Sequence, residues 1–384
     1  MAVLNKHALR LLFCASLVSM TAQAVELSSE KLDFNVEVVV DGLDHPWGMA
    51  FLPDGDLLIT ERSGQLRRVH DGKLLEENIS GVPEVVAIGQ GGLLGITLDP
   101  DFANNKLVYL AYSGGSNREN STEVIRGALE GTALKNPQVI FRAMPKQSGG
   151  YHFGSRLQFD TDGTLFITLG ERGVSPAEGR NHPAQQLDSH HGSVIRINAD
   201  GTVPADKPFV NQPGARPEIF DYGHRNMQGL ARHPHTGAIW THEHGPQGGD
   251  EINIERAGIN YGWPVITYGA NYVTGTRIGE GTALPGMQQP IYKWVPSIAP
   301  SGMLFYTGDQ FPAWKDNLFV GSLKFGLLVR LELDGEQVVH EERLLNNRFG
   351  RIRDVVQGPD GNIYLLTDDS DGKLLLLSPI PSDE

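Results

Sequence analysis

The stretch SRLQFDTDGTLFITLGERG (residues 155–173) carries two apolar runs, Leu157–Phe159 and Leu165–Leu169, joined by the polar turn Asp160-Thr161-Asp162-Gly163. Side chains of period two on either side of an Asp/Gly turn read as an antiparallel hairpin. Comparable units occur at 47–69, 93–113, 228–245, 301–333 (a looser copy) and 352–379. Little of the chain has the 3.6-residue period of an amphipathic helix, and 127–140 is ambiguous between helix and strand.

Six hairpin units leave roughly one four-stranded sheet per unit, the scale of a propeller blade. The expected fold is therefore all-β: a six-bladed β-propeller with four-stranded antiparallel blades. A seven-bladed ring and a pair of β-sandwiches are the alternatives that irregular spacing leaves open. The opening run LDFNVEVVV (32–40) lacks a preceding partner. Pairing with the last strand near LLLLSP would close the ring and protect both edges. Long insertions between units, 174–190 and 265–296, are expected to lie on one face and build a site there.

The chain has 384 residues, 46 of them Gly and 23 Pro, with a net charge of −14. That balance fits a turn-rich folded core and opposes binding to nucleic acid or to anionic membranes, both of which require a basic face. Lys6 and Arg10, the short apolar run 11–20 and Ala22-Gln23-Ala24 read as a secretory signal peptide over 1–24,. Residues 25–384 are then a single domain, exported to the periplasm. The apolar run is too short to span a bilayer. The single cysteine, Cys14, lies inside it, and Phe13 before it does not suit a lipoprotein signal. The exported chain thus has no disulfide, and must be held by its core and by metal ions if it binds them.

The heaviest polar load falls at 222–264. Arg225 and Asn226 precede an apolar run; His242, Glu243 and His244 follow it; then come Gly245-Pro246, Asp250-Glu251, and a Gly-rich turn around Tyr261 and Trp263. Carbonyls freed by Gly-Pro turns, together with carboxylates, suit a hard cation such as calcium, and Arg suits a planar carboxylate. This segment reads either as a metal-assisted site for an anionic ligand or as a polar surface loop with a tight turn.

Other candidates are spread along the chain. Gln90 stands among glycines in IGQGGLLG (88–95), as a ligand donor or as part of a turn leading into a strand. His152 opens the third unit, where a neutral imidazole can serve as a general base or simply cap a loop. His190 and His191 lack the companions of a zinc site. Arg172 in GERG reads as a turn residue that can line the site. Ser297 and Lys324 stand in the fifth unit. Arg351 and Arg353 lie two apart, on one face of a strand, and like charges so placed need an anion between them. That anion is a carboxylate-bearing ligand or, on an exposed edge, Asp354 and Asp368. No G-x-S-x-G elbow and no dinucleotide-binding fingerprint are present,.

Taken in order, GQGGLLGI, YHFGSRL, YGHRNMQG, EHGPQGGDEIN, NYGWP, PSIAPSG, GSLKFG, RIRDV and GPDGNIYLLTD resemble the soluble quinoprotein glucose dehydrogenases. They resemble more closely the aldose sugar dehydrogenases of the same fold. The resemblance covers nearly all of residues 25–384. It implies a propeller binding pyrroloquinoline quinone (PQQ) and calcium, and oxidising the anomeric carbon of aldoses to lactones. Electrons would pass to an external acceptor, a small dye-like quinone or a cytochrome.

By that resemblance His152 is the catalytic base and Arg225 supplies positive charge beside the quinone carbonyl. Gln90, Asn226, Ser297, Lys324, Arg351, Arg353 and Asp368 contact the cofactor. The carbonyls of Gly245 and Pro246 hold its calcium, and Glu251 with the Tyr261 carbonyl forms a second, structural calcium site. Tyr151 stands where the glucose enzymes carry an acidic residue before the base, which points to a broader aldose range than glucose. A calcium-dependent propeller lactonase and a non-enzymatic sugar-binding propeller are the competing readings. The lactonase needs carboxylates and Asn from several units around one central metal.

Overall fold

The computed structural model describes residues 24–380; the expected signal peptide falls outside them except for Ala24. Six antiparallel sheets are arranged radially. In each, the first strand is innermost, and these first strands neighbour one another around the ring. Blade 1 begins at Pro46–Phe51, blade 2 at Leu93–Leu98, blade 3 at Leu157–Phe159, blade 4 at Met227–Arg232, blade 5 at Pro300–Phe305 and blade 6 at Ile352–Gln357. The architecture is a six-bladed β-propeller.

Every hairpin found in the sequence holds the inner strands of one blade. The ambiguous 127–140 segment is strand: it spans the end of Asn120–Glu130 and most of Ala133–Arg142. Its period-two signal is blurred because the ladder is irregular at Lys135/Gln138 and Val139/Phe141.

Ring closure follows the expected route. Asp33–Leu43 pairs antiparallel with Gly372–Pro379, with Val36 opposite Leu377 and Val38 opposite Leu375. Phe34 and Val36, both fully buried, pack with Leu375 and Leu377 and with Trp314 and Phe319 of blade 5. Closure is thus made by side-chain burial as well as by the ladder. One expectation is corrected. The opening strand does have a preceding partner, Val25–Ser28, which gives blade 6 a fifth strand.

The two long insertions also lie elsewhere in the topology than expected. They are within blades: 174–190 joins the second and third strands of blade 3, and 265–296 carries the chain from the third to the fourth strand of blade 4. In blades 3 and 4 the sequence hairpins captured only the two inner strands, so loops inside those blades read as loops between units. The insertions touch each other. Arg180 donates to both carboxylate oxygens of Glu280 (2.8 and 3.0 Å), and Ala184 packs with Trp263 and Ile278. Among the described residues no helix is long and apolar enough to cross a membrane.

Candidate active site

The cavity at the centre of the ring, about 270 Å³, draws its walls from every blade except the outer strands of each. Trp47, Leu94 and Phe153 give it apolar surface; Arg62, Gln90, Gln228, Arg351, Arg353 and Asp368 give it polar surface. Its floor is a plug on the propeller axis. The Arg156 guanidinium lies 4.2 Å from the Trp47 ring centre, pairs with Asp354 at 2.7 Å and donates to the Gln228 carbonyl at 2.8 Å.

Three guanidinium groups therefore line this cavity against one carboxylate. Asp368 accepts from Arg351 and from Arg353, each at 2.8 Å. Burial alone would raise the Asp368 carboxyl, but the Arg353 and Arg351 charges hold it well below the usual range,. Arg353 is 7% exposed, so the reading as an open strand edge is overturned for Arg353, whereas Arg351 is half exposed and pairs with Asp368 as that reading expected. They stand at the start of an innermost strand, where the ring narrows. Asp354 is engaged with Arg156 and neutralises neither. The Nε atoms of Arg62 and Arg353 are buried without a protein partner. A cavity so charged, in a chain of net charge −14, fits a polyanionic planar ligand, and PQQ, a tricarboxylate, has that character.

A second cavity, about 300 Å³, adjoins along the His152–Phe153 backbone. It is walled by His152, Glu171, Val174, Pro176, Arg225, Pro246, Trp263, Asn271, Tyr272 and Ile278. The two insertions thus supply most of its outer wall. His152 Nδ1 bonds Glu171 Oε1, and Glu171 Oε2 accepts from the Val174 amide at 2.7 Å. The bond to a carboxylate places the proton on Nδ1 and leaves Nε2 with a lone pair. Burial first, and then the Arg225 charge, lower the His152 pKa; Glu171 opposes them without prevailing. Glu171 stays ionised because the His152 contact and the Arg225 charge outweigh its burial.

The backbone at His152 is left-handed (φ 50°), a conformation that costs about 1–3 kcal/mol in a residue with a side chain,. Arg172 holds it there. Its guanidinium donates to the carbonyls of Tyr151 (3.1 Å) and Gly149 (3.0 Å) and lies 3.7 Å from the centre of the Phe153 ring. Gly170 is required opposite, since a Cβ there would meet the His152 carbonyl. Gln90 ties the two cavities together by accepting from the His152 amide at 2.9 Å.

Arg225 lines the His152 cavity. Its Nη1 donates to the carbonyls of His244 and Gly245, each at 2.9 Å; its amide donates to Glu243; its guanidinium lies 5.3 Å from the Trp263 ring centre; its Nε has no protein partner. Behind it, Glu243, Gly245, Gly249, Glu251 and Tyr261 border a small pocket. The Gly248 and Gly249 carbonyls crowd Gly245 so closely that any Cβ would collide with them. Burial and the nearby Glu243 charge push Glu251 up to about 8. The backbone of Gly245, Gly249 and Tyr261 beside two repelling carboxylates offers oxygen donors of the kind a calcium ion takes,. Pro246 borders the His152 cavity instead.

Not every candidate reaches a cavity. Ser297 donates to Asp250 at 2.7 Å, and Lys324 is exposed with its ammonium 5.0 Å from the Phe325 ring centre; their neighbours Ala299 and Leu323 line the central cavity in their place. Asn226 is buried beneath it, accepting from the Gly154 amide and from Gln228, each at 3.3 Å. His190 and His191 are packing residues: His190 pairs with Glu218 at 2.7 Å and His191 contacts the Pro145 carbonyl at 3.0 Å. Arg172 supports the site from below.

Sequence reasoning missed Glu171, Arg62 and Trp47. A signal for the first two was present. An acidic residue ends or follows the second strand in TERS (60–63), GERG (170–173), HEHG (242–245) and TDDS (367–370). Glu61, Glu171, Glu243 and Asp368 thus occupy related register positions, with Arg62 one residue beyond the first.

A propeller whose axial cavity is rimmed by arginines, beside a histidine–carboxylate pair, defines a class of β-propeller oxidoreductase. The chain belongs to the Glucose / Sorbosone dehydrogenase family, which it matches over residues 43–376. It is 48% identical to the aldose sugar dehydrogenase YliI of Escherichia coli K12 over 351 residues, 90% of this chain and 93% of that one. The apo-form crystal structure of the E. coli aldose sugar dehydrogenase superposes with a TM-score of 0.86 at 47% identity, covering 90% of this chain and all of that one. The PQQ-bound aldose sugar dehydrogenase of Streptomyces coelicolor superposes at 0.73 with 29% identity, covering 90% and 98%.

Proposed function

We propose that this protein is a PQQ-dependent aldose dehydrogenase that oxidises the anomeric carbon of aldoses to lactones in the periplasm, after removal of residues 1–24. One observation carries the reading: a histidine with a free Nε2, fixed by Glu171, borders a cavity that adjoins one lined by three guanidinium groups. Arg62, Arg351 and Arg353 would hold the carboxylates of PQQ, and Trp47 and Gln90, which line the same cavity, would contact it. Asp368 completes its surroundings, with Asn226 supporting the cavity from beneath. When bound, PQQ supplies the two-electron acceptor.

The His152 cavity takes the sugar. His152 Nε2 accepts the proton of the anomeric hydroxyl as the carbon gives up hydride, and Nδ1 keeps its proton and donates it in a hydrogen bond to the Glu171 carboxylate, which stabilises the imidazolium that forms,. Arg225 brings positive charge to this cavity, where negative charge develops,. Val174, Pro176, Trp263 and Ile278 keep water from it. The carbonyls of Gly245 and Pro246 would hold a calcium ion next to the cofactor, and Glu251 with the Tyr261 carbonyl a second one. Tyr151, 61% exposed with its ring centre 6.2 Å from that of His152, would present a ring and no carboxylate to the sugar, in keeping with a broad aldose range. The electrons leave to an external acceptor, a small quinone or a cytochrome.

Reconstitution of purified apoprotein tests this. With PQQ and calcium, dye reduction should saturate with aldoses and vanish on omission of PQQ or addition of chelator, and the product should be a lactone. Tight PQQ binding without turnover on any aldose would overturn it.

A further inference from the structure

We propose that Asp221, His224 and Glu255 form a binding site for a divalent transition ion, zinc foremost, that pins blade 3 to blade 4. Asp221 ends the outer strand of blade 3, His224 lies in the link, and Glu255 follows the third strand of blade 4. One donor atom from each lies within 4.8 Å of the others. Asp221 and His224 are 0% exposed and Glu255 5%.

His224 is oriented as a metal ligand. Its Nδ1 faces Glu243 Oε1 at 3.2 Å, the carboxylate–histidine arrangement that fixes the proton on Nδ1 and directs Nε2 to an ion,. That Nε2 faces Asp221 Oδ1 at 3.2 Å and Glu255 Oε2 at 3.4 Å. A proton on Nε2 would make the Asp221 contact a hydrogen bond; with the proton on Nδ1 alone, the Nε2 lone pair faces two carboxylate oxygens, and a cation among them removes the repulsion. Donor atoms about 2.1 Å from an ion stand roughly 3.0–3.4 Å from one another, which these separations match.

Independent of the clustering, two carboxylate oxygens here are buried without a hydrogen-bond donor: Glu255 Oε2, which faces Nε2 at 3.4 Å, and Asp221 Oδ2. The companion oxygens are satisfied, Glu255 Oε1 by the Thr241 hydroxyl and Asp221 Oδ1 by the Val194 amide at 3.3 Å. An unpaired buried carboxylate oxygen is costly, and a cation removes that cost. One imidazole with two carboxylates suits zinc or manganese, whereas calcium prefers oxygen alone. The site is distinct from the Glu251–Tyr261 pocket: the Tyr261 ring stacks on His224 at 4.4 Å and separates the two. Because Glu243 also holds the Arg225 amide, the ion would brace the segment carrying Arg225 and Asn226.

A second proton on His224 is the competing way to neutralise the cluster, and metal content separates the two. Untagged full-length protein is stripped with a chelator and titrated with zinc alone, then with manganese alone, in the absence of PQQ and sugar. The expected result is one equivalent bound at submicromolar affinity by elemental analysis, with a rise in Tm of several degrees. Glu255→Gln should weaken binding at least tenfold while keeping the far-ultraviolet circular dichroism spectrum. Should that variant not fold, cobalt substituted into the wild type should give the visible absorption of a nitrogen/oxygen site. The proposal fails if wild-type protein takes up no equivalent and shows no Tm shift, or if Glu255→Gln binds as tightly as wild type. Neither readout depends on dehydrogenase activity.

Discussion

His152 and Glu171 are joined through Nδ1 although they stand nineteen residues apart, on either side of the inner hairpin of blade 3. The carboxylate sets the tautomer of the base while burial and Arg225 keep it unprotonated. The acid limb of kcat/KM should therefore lie below the ordinary histidine value of about 6.5. His152→Ala should lose about 10²–10⁴ in kcat with PQQ binding retained. Glu171→Gln removes the one influence raising the His152 pKa, so the limb should move to lower pH as the plateau falls. A pH profile of the variant checks the sign; a limb moving upward would remove Glu171 from this role.

Arg353 and Arg62 separate cofactor binding from chemistry. Each has a buried Nε without a partner in the central cavity. Arg353→Ala should weaken PQQ binding at least tenfold and lower apoprotein stability as well, because Asp368 loses one of its two guanidinium partners,. Arg353→Lys keeps the charge and loses the fork, so partial recovery is expected. Arg62→Ala should weaken binding comparably with little effect on Tm. Equilibrium titration of apoprotein with PQQ, beside thermal melts, measures both.

The fold was legible because a hairpin advertises itself locally: a period of two, a turn, a period of two. The blade count followed, and Val36 opposite Leu377 could be foreseen from an unpaired first strand and a last strand in need of a neighbour. Outer strands were harder. Gln337–Leu344 alternates only weakly, since most of its residues are exposed or half-buried. The site was half legible. Residues with distinctive chemistry beside glycines, such as His152 and Arg225, stood out. Glu171 did not: the acidic residue recurring at the end of the second strand marks its position, but its contact with His152 depends on a left-handed loop shaped by Gly170 and Arg172, which that recurrence does not reveal.

Phe34 measures ring closure. It is fully buried, stacks edge-on against Trp314 at 5.2 Å and sits opposite Pro379 in the closing ladder. Phe34→Ala should cost about 3–5 kcal/mol by cavity formation and loss of burial. Denaturant unfolding gives the value. Loss below about 1 kcal/mol would mean that the ladder alone closes the ring.

Calcium and pH should act on stability in opposition. Without a cation, Glu251 titrates near 8 in the folded state because of burial and Glu243, against about 4.3 unfolded. The folded state then holds the extra proton, so stability falls as pH rises from about 4.5 through 8. Buried His191 and His242 act from the other side. Burial lowers them to about 4 and about 3, while the unfolded chain takes up their protons from about 6.5 downward. Stability therefore also falls as pH drops below about 6.5, by roughly 2–3 kcal/mol per histidine at pH 4.5. Calcium-free protein should be most stable near pH 6. Calcium displaces the Glu251 proton, so adding it should raise Tm most on the alkaline side, release protons at pH 7 and move the optimum upward. Glu251→Gln should abolish that shift, and in chelator its Tm at pH 8 should equal or exceed that of the wild type, since the repulsion with Glu243 is gone. Melts across pH 4.5–9, with calcium and with chelator, read both limbs; a wild-type optimum indifferent to calcium would take Glu251 out of the cation site.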